Sequence, residues 1–163
     1  MKKIFSLLCF VLVAFAASAQ QLPDVKVENA QGKVVSIRSL AQGKPMIISY
    51  WSIACKPCIQ ELNAINDALA DWKSEADLVV VAVSVDDARL KASAKAIAQS
   101  RGWEFICVYD ENQELKRAMN VSLTPQSFVV DGDGNIIFSH SGYTPGSEQL
   151  LFDKIVALKK KKK

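Results

Sequence analysis

Two cysteines separated by two residues, in the sequence Cys55-Lys56-Pro57-Cys58, have the types and spacing that most directly suggest chemistry. They follow the apolar run Met46–Trp51 and precede a helix-like pattern, so a strand should deliver them to the first turn of a helix. The unpaired N–H groups and the positive dipole end of a helix N-terminus favour a thiolate on the first cysteine. Lys56 adds a positive charge, and Pro57 fits a first turn because its missing N–H costs little there. Two sulfurs that can close and open a small ring are suited to thiol–disulfide exchange.

The apolar residues around this pair predict a single layered α/β domain. The continuous apolar run Leu78–Val85 suits the centre of a sheet that is covered on both faces. Strands that alternate with helices and end in a hairpin predict a mixed central β-sheet flanked by helices, with an N-terminal β-hairpin extension. The first predicted elements are a hairpin over Val25–Val35 that turns at Asn29–Gly32, a strand over Met46–Trp51, and a helix whose apolar face carries Ile59, Leu62, Ile65, Leu69 and Trp72. The strand Leu78–Val85 follows, then a helix that is capped by Asp86-Asp87 and runs to Ser100, and then a strand over Phe105–Tyr109. The last elements are a short helix over Asn112–Met119, a hairpin of Phe128–Val130 and Ile136–Phe138, and a helix over Ser147–Leu158.

The first 19 residues predict export. A basic start, Met1-Lys2-Lys3, precedes the apolar run Ile4–Ala17, and Ala17-Ser18-Ala19 places small residues at the two positions that a signal peptidase reads. The alternative is an uncleaved membrane anchor, but the apolar run is short for a span. We predict a signal peptide over 1–19 that is cleaved after Ala19, one domain over 20–158, and a lysine-rich tail over 159–163. The mature protein is then expected in a bacterial periplasm or cell envelope.

The charge distribution argues against a nucleic-acid partner. The whole chain carries 20 basic and 17 acidic residues. Without Lys2, Lys3 and the five lysines of the tail, 13 basic residues face 17 acidic ones, which gives a formal charge of −4. A nucleic-acid-binding domain needs a basic face, and this body is mildly acidic. Lys159–Lys163 predict a solvated, disordered end, whose alternative role is weak contact with anionic lipid headgroups.

Export leaves three cysteines, Cys55, Cys58 and Cys107. This number is too small for a disulfide scaffold, and a chain of this length can bury an adequate core without one. An odd count suggests one functional pair and one leftover thiol. Cys107 lies within the predicted strand Phe105–Tyr109, so we expect it to be a buried and inert thiol; the alternative is a regulatory thiol.

The order of elements and two sequence segments resemble the thioredoxin fold, and within it the exported thiol–disulfide oxidoreductases of the TlpA/ResA-like group. The segments are Trp51-Ser52-Ile53-Ala54-Cys55-Lys56-Pro57-Cys58 and Leu123-Thr124-Pro125-Gln126-Ser127-Phe128. The resemblance implies that Cys55 is the exposed nucleophile, that Cys58 is the buried resolving cysteine, and that Pro125 follows a cis peptide bond. A cis bond there would expose the backbone of Thr124 to a partner peptide beside the sulfurs. We further expect Lys56 and Pro57 to border the substrate-binding surface. Trp51 should be a core residue that could also line this surface.

Three positions depart from the pattern of that group. Ala54 stands where an aromatic residue commonly precedes the first cysteine, which opens the rim of the site. Ser49 stands where thioredoxins proper carry a buried carboxylate that takes part in proton transfer, and Glu61, one turn after Cys58, is the nearest local candidate for that role. Glu61 could equally be an exposed helix residue. Asn63 replaces a proline that often kinks the helix.

The residues suggest an exchange mechanism that needs no cofactor. The Cys55 thiolate attacks a partner disulfide to form a mixed disulfide, and Cys58 then attacks Cys55 and releases the reduced partner. We expect the helix N-terminus and Lys56 to lower the pKa of Cys55. The potentials of such couples range from about −270 mV for reductants to about −120 mV for strong oxidants, so the direction stays open. The resemblance favours reduction of envelope proteins with electrons from a membrane donor; the alternative is an oxidant that installs disulfides.

Three other readings use the same cysteines. A structural zinc site needs a second pair of ligands, and only Cys107 and His140 remain, each without another ligand nearby in the sequence. A copper-binding protein could use Cys55, Cys58 and His140 as a soft three-ligand site, provided that His140 reaches the sulfurs. A thiol peroxidase of the related group requires a proline and a threonine seven and three residues before its cysteine, where this chain has Ile48 and Ser52.

Overall fold

The computed structural model describes residues 20–161, and side chains from residue 20 to residue 160. The predicted signal peptide over 1–19 lies outside the described residues. The strands are β1 (Lys26–Asn29), β2 (Val34–Ser36), β3 (Met46–Trp51), β4 (Val79–Ser84), β5 (Ile106–Tyr109), β6 (Gln126–Val130) and β7 (Ile136–Ser141). The α-helices are α1 (Lys56–Glu75), α2 (Lys91–Ser100), α3 (Glu114–Ala118) and α4 (Glu148–Lys161), and a 3-10 turn covers Arg38–Leu40. None of the described helices is both long and apolar enough to cross a bilayer.

The seven strands form one mixed sheet in the order β2-β1-β5-β4-β3-β6-β7. β3 pairs with β4, and β4 with β5, in parallel. The other neighbouring pairs are antiparallel, including β1 with β5, which attaches the N-terminal hairpin to the edge of the central strands. This arrangement confirms the predicted thioredoxin-like α/β fold and its hairpin extension.

Two apolar layers cover the faces of the sheet. Every residue of β3 is buried, and successive side chains alternate between the layers because strand side chains point to opposite faces. Ile47 and Trp51 pack with residues of α1, α2 and α4, whereas Met46, Ile48 and Tyr50 pack with α3 and the N-terminal segment. Burial of each large aliphatic side chain contributes about 1.5–3 kcal/mol, so this strand anchors both layers. Its last residue immediately precedes the loop that carries the cysteines.

Several boundaries differ from the predicted ones. α2 begins at Lys91, because the chain first makes a turn in which the Asp87 carbonyl accepts hydrogen bonds from Leu90 and Lys91. β6 and β7 extend to Gln126 and Ser141, beyond the predicted hairpin. α4 continues to Lys161, and Lys159 Nζ donates to the carbonyl of Glu75 at 2.8 Å. The prediction of a disordered end from Lys159 onward is therefore wrong for its first three residues; Lys162 and Lys163 lie outside the described residues.

Candidate active site

A disulfide joins Cys55 to Cys58 at the N-terminus of α1, with the two Cα atoms 5.3 Å apart. Cys55 is the residue that caps the helix, and its sulfur accepts a hydrogen bond from the Cys58 N–H at 3.3 Å. Pro57 occupies the first turn, where no N–H is needed. A thiolate on Cys55 would therefore receive a backbone N–H and the positive end of the helix dipole, both of which stabilise negative charge.

The two sulfurs differ in access. Cys55 is partly exposed, whereas Cys58 is fully buried, a difference that matches the one implied by the resemblance. Lys56 and Pro57 are exposed beside Cys55. Trp51 is fully buried and packs in the same apolar cluster as Cys58, which agrees with the expected core role and not with the alternative role at the substrate-binding surface. Trp51 therefore packs in the core below the disulfide and presents no surface to a substrate.

The Thr124–Pro125 peptide bond is cis, as the resemblance implied. β3 and β6 run antiparallel with Tyr50 opposite Gln126, so this bond lies at the same end of the sheet as Trp51 and the loop to Cys55. A groove of about 410 Å³ runs along the segment, lined by Asn120, Ser122, Leu123, Thr124, Pro125, Gln126, Ser141 and Gly142. The partly exposed sulfur and this groove therefore belong to the same end of the sheet.

Glu61 is a buried carboxylate, with 1% of its surface exposed, so it is not an exposed helix residue. The Ser49 hydroxyl donates to Glu61 Oε2 at 2.9 Å, and the Ser127 hydroxyl lies 3.1 and 3.2 Å from the two carboxylate oxygens. Burial raises the pKa of Glu61, and the two hydroxyl hydrogen bonds offset part of that rise. The helix spacing places Glu61 one turn after Cys58, and helix side chains lean toward the N-terminus. Glu61 is therefore a buried carboxylate on the same helix as Cys58, and its role in proton transfer stays a prediction.

The position of this carboxylate explains one departure from the thioredoxin pattern. Ser49 and Ser127 are paired across β3 and β6, and both hydroxyls point to the helix α1. A carboxylate at position 49 would come from the strand, whereas here α1 supplies it at position 61. Two buried serines in apolar strands were the sequence signal for this arrangement, because buried hydroxyls require partners.

Asp86 is a residue of the site that sequence reasoning missed. Its buried carboxylate accepts hydrogen bonds from the Ile53 N–H at 3.1 and 3.3 Å and from the Ser84 hydroxyl at 2.9 Å. The prediction that Asp86-Asp87 caps α2 is therefore wrong, because Leu90 is the residue at the N-cap and no side chain caps this helix. The pKa of Asp86 is raised by burial, and the hydrogen bond from Ser84 offsets part of that rise. Asp86 holds the loop that leads to Cys55, and the available signal was an acidic residue at the end of a parallel strand beside β3.

The structure does not support the copper site. His140 lies in β7 opposite Ser127. Among the described residues, no three histidine, cysteine or acidic side chains lie close enough together to hold a metal ion. His140 therefore does not complete a site with Cys55 and Cys58.

Cys107 is a half-buried thiol in β5. Burial raises its pKa to about 11, which favours the protonated thiol near neutral pH. Cys107 is thus less buried than predicted, and its inertness stays a prediction.

A thioredoxin-like fold with a Cys-x-x-Cys disulfide at a helix N-terminus defines the class of thioredoxin-like oxidoreductases. The family model described as AhpC/TSA matches residues 19–139, and the chain belongs to that family. It is 25% identical over 118 residues to the thiol-disulfide oxidoreductase ResA of Bacillus thuringiensis, a match that covers 72% of this chain and 66% of that protein. The chain thus spans slightly less than two thirds of this curated relative.

Solved structures agree with this assignment. An uncharacterised thioredoxin-like protein from Porphyromonas gingivalis is 45% identical, with a TM-score of 0.74 over 84% of this chain and 90% of that one. A protein from Chlorobium tepidum, assigned as thiol:disulfide interchange protein DsbE, is 26% identical, with a TM-score of 0.75 over 85% of this chain and 95% of that one.

Proposed function

We propose that this protein is an exported thiol–disulfide oxidoreductase that reduces disulfides of envelope proteins. The observation that carries the proposal is one disulfide between a partly exposed Cys55, whose sulfur accepts a hydrogen bond from the Cys58 N–H, and a buried Cys58. The names of its relatives, thiol-disulfide oxidoreductase and thiol:disulfide interchange protein, support the same reaction. The activity, the substrates and the partners belong to the proposal.

The reaction begins with the reduced protein. The Cys55 thiolate attacks one sulfur of a client disulfide, forms a mixed disulfide and expels the first client thiolate. Cys58 then loses its proton to Glu61 and attacks the Cys55 sulfur, which expels the second client thiolate. The client gains two electrons, and the protein ends with the Cys55–Cys58 disulfide. A membrane dithiol donor would then reduce that disulfide and restore the cycle.

The groove beside Thr124 and Pro125 would hold the client chain during the first attack. The Lys56 charge and the exposed Pro57 ring border the same sulfur. Lys160 and the lysines that follow it in the sequence offer positive charge to anionic headgroups, at about 1 kcal/mol for each lysine near the surface. Lys159 is already engaged with the end of α1. The membrane contact in this proposal is therefore weak.

The test is a redox titration of the Cys55–Cys58 couple in the mature protein against defined thiol buffers, with free thiols counted by the mass shift on alkylation. A potential near about −250 mV, close to the thioredoxin value, supports a reductant. A potential near about −130 mV would indicate an oxidant that installs disulfides and would contradict the proposed direction. Cys58→Ser should trap a mixed disulfide with a client, whereas Cys55→Ser should not, and Cys107→Ser is the matched control that should behave as the wild type.

A further inference from the structure

Leu123 is unusually exposed for a large apolar residue. It exposes 81% of its surface, the largest value among the exposed large apolar residues of the described chain. A single exposed leucine needs no explanation by itself, because folded proteins expose much apolar surface. Leu123, however, lies two residues before Pro125, which follows the cis bond, and lines the groove at the end of the sheet where β3 leads into the loop to Cys55.

The loop that carries Leu123 is held at both ends. On one side, Val121 is buried in the core and its N–H donates to the carbonyl of Lys116 at 3.0 Å. On the other side, Pro125 is buried and its carbonyl accepts from the Gly142 N–H at 2.9 Å. The leucine is therefore presented by a backbone that is fixed before any partner arrives. Preorganisation of this kind reduces the cost of ordering on binding.

Leu123 supplies much of the apolar surface in a groove that is otherwise mostly polar. Most of its other lining residues are polar or lack a side chain, and they are Asn120, Ser122, Thr124, Gln126, Ser141 and Gly142. Leu123 and Pro125 supply its apolar surface. The small Ala54 beside Cys55 is exposed and offers little area of its own.

We propose that Leu123 is a specificity-determining residue that selects client polypeptides with an apolar side chain within about two residues of the reacting cysteine. The occupant of the groove is an extended client segment, and its apolar side chain covers Leu123 while the client sulfur bonds to Cys55. This inference rests on the proposed function, because the groove lies at the end of the sheet where β3 leads into the loop to the reacting disulfide. Covering a leucine and its partner side chain should favour such a client about tenfold, which corresponds to about 1.4 kcal/mol.

The experiment compares three substrates of the reduced protein. Two are peptides of equal length, each closed by one disulfide, with either leucine or serine on both sides of the cysteines. The third is hydroxyethyl disulfide, which is too small to reach Leu123. Rates are measured for the wild type, for Leu123→Ser, and for Val34→Ser, a matched control because Val34 is 62% exposed on the distant edge strand β2.

We expect the wild type and Val34→Ser to prefer the leucine peptide about tenfold in kcat/KM, mainly through KM. Leu123→Ser should lose that preference and keep the wild-type rate with hydroxyethyl disulfide. A preference that survives in Leu123→Ser overturns the inference and leaves the proposed function intact. An equal loss with all three substrates also overturns it, because Leu123 would then act on the cysteines themselves. If the wild type reduces none of the three, the proposed function fails and the inference fails with it.

Discussion

The carboxylate of Glu61 lies between two serine hydroxyls of the central sheet and one helical turn from the buried sulfur of Cys58. Its burial raises the energy of the ionised form, so the carboxyl group loses its proton at a higher pH than an exposed glutamate does. Because the folded-state pKa lies above the ordinary value of 4.5, ionisation destabilises the folded protein as the pH rises through that raised pKa.

Glu61→Gln should therefore have two effects. The decay of the mixed disulfide should slow by roughly 10²-fold, the usual scale for losing a general base, and its pH dependence should lose the limb that belongs to Glu61. The free energy of unfolding should fall less steeply above pH 4.5 than in the wild type, since glutamine does not ionise. Single-turnover kinetics and urea unfolding at several pH values measure both effects. Asp67→Asn, on the exposed face of the same helix, is the control; an identical response of both variants would remove Glu61 from the mechanism.

Asp86 acts on the site through the backbone of the loop before Cys55. Asp86→Ala leaves the Ile53 N–H without its acceptor, and we expect a cost of about 1–2 kcal/mol in the free energy of unfolding. The exchange of the Ile53 amide hydrogen should accelerate, as NMR can measure. Asp87→Asn removes the same charge one residue later and should leave that amide unchanged. Unaltered exchange in Asp86→Ala would show that the loop is held by other contacts.

At the scale of elements, α1 joins the cysteines to the core over its full length of 20 residues. It also holds the loop between α2 and β5, because Asn63 Oδ1 accepts from Trp103 Nε1 at 2.9 Å and Asn66 Oδ1 accepts from the Glu104 N–H at 2.8 Å. Trp103 in turn contacts Trp51 edge to face, with ring centroids 4.9 Å apart. Asn63 stands where the resembled group often has a proline, and its side chain instead links α1 to Trp103 in the loop before β5.

Asn63→Ala should cost about 1–2 kcal/mol in the free energy of unfolding, because the indole N–H of Trp103 loses its acceptor. Asn63→Pro should cost about 3 kcal/mol more, since proline also disrupts the hydrogen bonding of the helix interior. Urea unfolding followed by tryptophan fluorescence measures both. Gln60→Ala, at an exposed position of α1, should change little. A proline variant as stable as the wild type would mean that α1 accommodates the kink found in relatives.

The hairpin of β1 and β2 is fastened to α2 by ion pairs. Glu28 in β1 contacts Lys91 and Lys95, each at 2.7 Å, and Lys91 also contacts Glu111 at 2.8 Å. The hydrogen bond from Lys91, followed by that from Lys95, lowers the pKa of Glu28. A lowered folded-state pKa contributes stability above the ordinary value of 4.5, and that contribution disappears as the pH falls through the lowered value.

Glu28→Gln should destabilise the protein by about 0.5–1 kcal/mol at neutral pH, a small effect because the pair is partly solvated. The difference from the wild type should shrink at high salt and at acidic pH. Thermal unfolding across salt and pH measures it, with Glu104→Gln as the control at an exposed position. A difference that persists in acid would point to packing instead of charge.

At the scale of the whole molecule, the segment after the predicted cleavage site is attached to the β6–β7 hairpin. The carbonyl of Gln20 accepts from the Ile136 N–H at 2.8 Å, and the Leu22 N–H donates to the Gly134 carbonyl at 2.9 Å. Leu22 is buried, with 1% of its surface exposed. The residue after the predicted cleavage site is therefore already attached to the β6–β7 hairpin.

Expression in a host with a secretory pathway should yield a periplasmic protein that begins at Gln20. Intact-mass spectrometry of the periplasmic fraction measures the loss of residues 1–19. Ala19→Arg should block cleavage, because a signal peptidase requires a small residue there, whereas Gln21→Arg should not. A periplasmic protein that retains Met1 would contradict the predicted signal peptide and support the membrane-anchor alternative.

The sequence alone determined the features that depend on neighbours along the chain. The spacing of Cys55 and Cys58, the apolar run of β3 and the periodic face of α1 predicted the disulfide pair at a helix start, and the resemblance supplied the cis bond at Pro125. The tertiary structure decided what depends on residues distant in sequence. Whether Glu61 is buried depends on Ser49 and Ser127, and whether Asp86 caps a helix or holds the active-site loop depends on where β4 ends beside β3. A buried polar side chain needs a hydrogen-bond partner, because water is excluded from it. The sequence allows several partners for such a side chain, and only the packing of strands and helices decides which of them lies next to it.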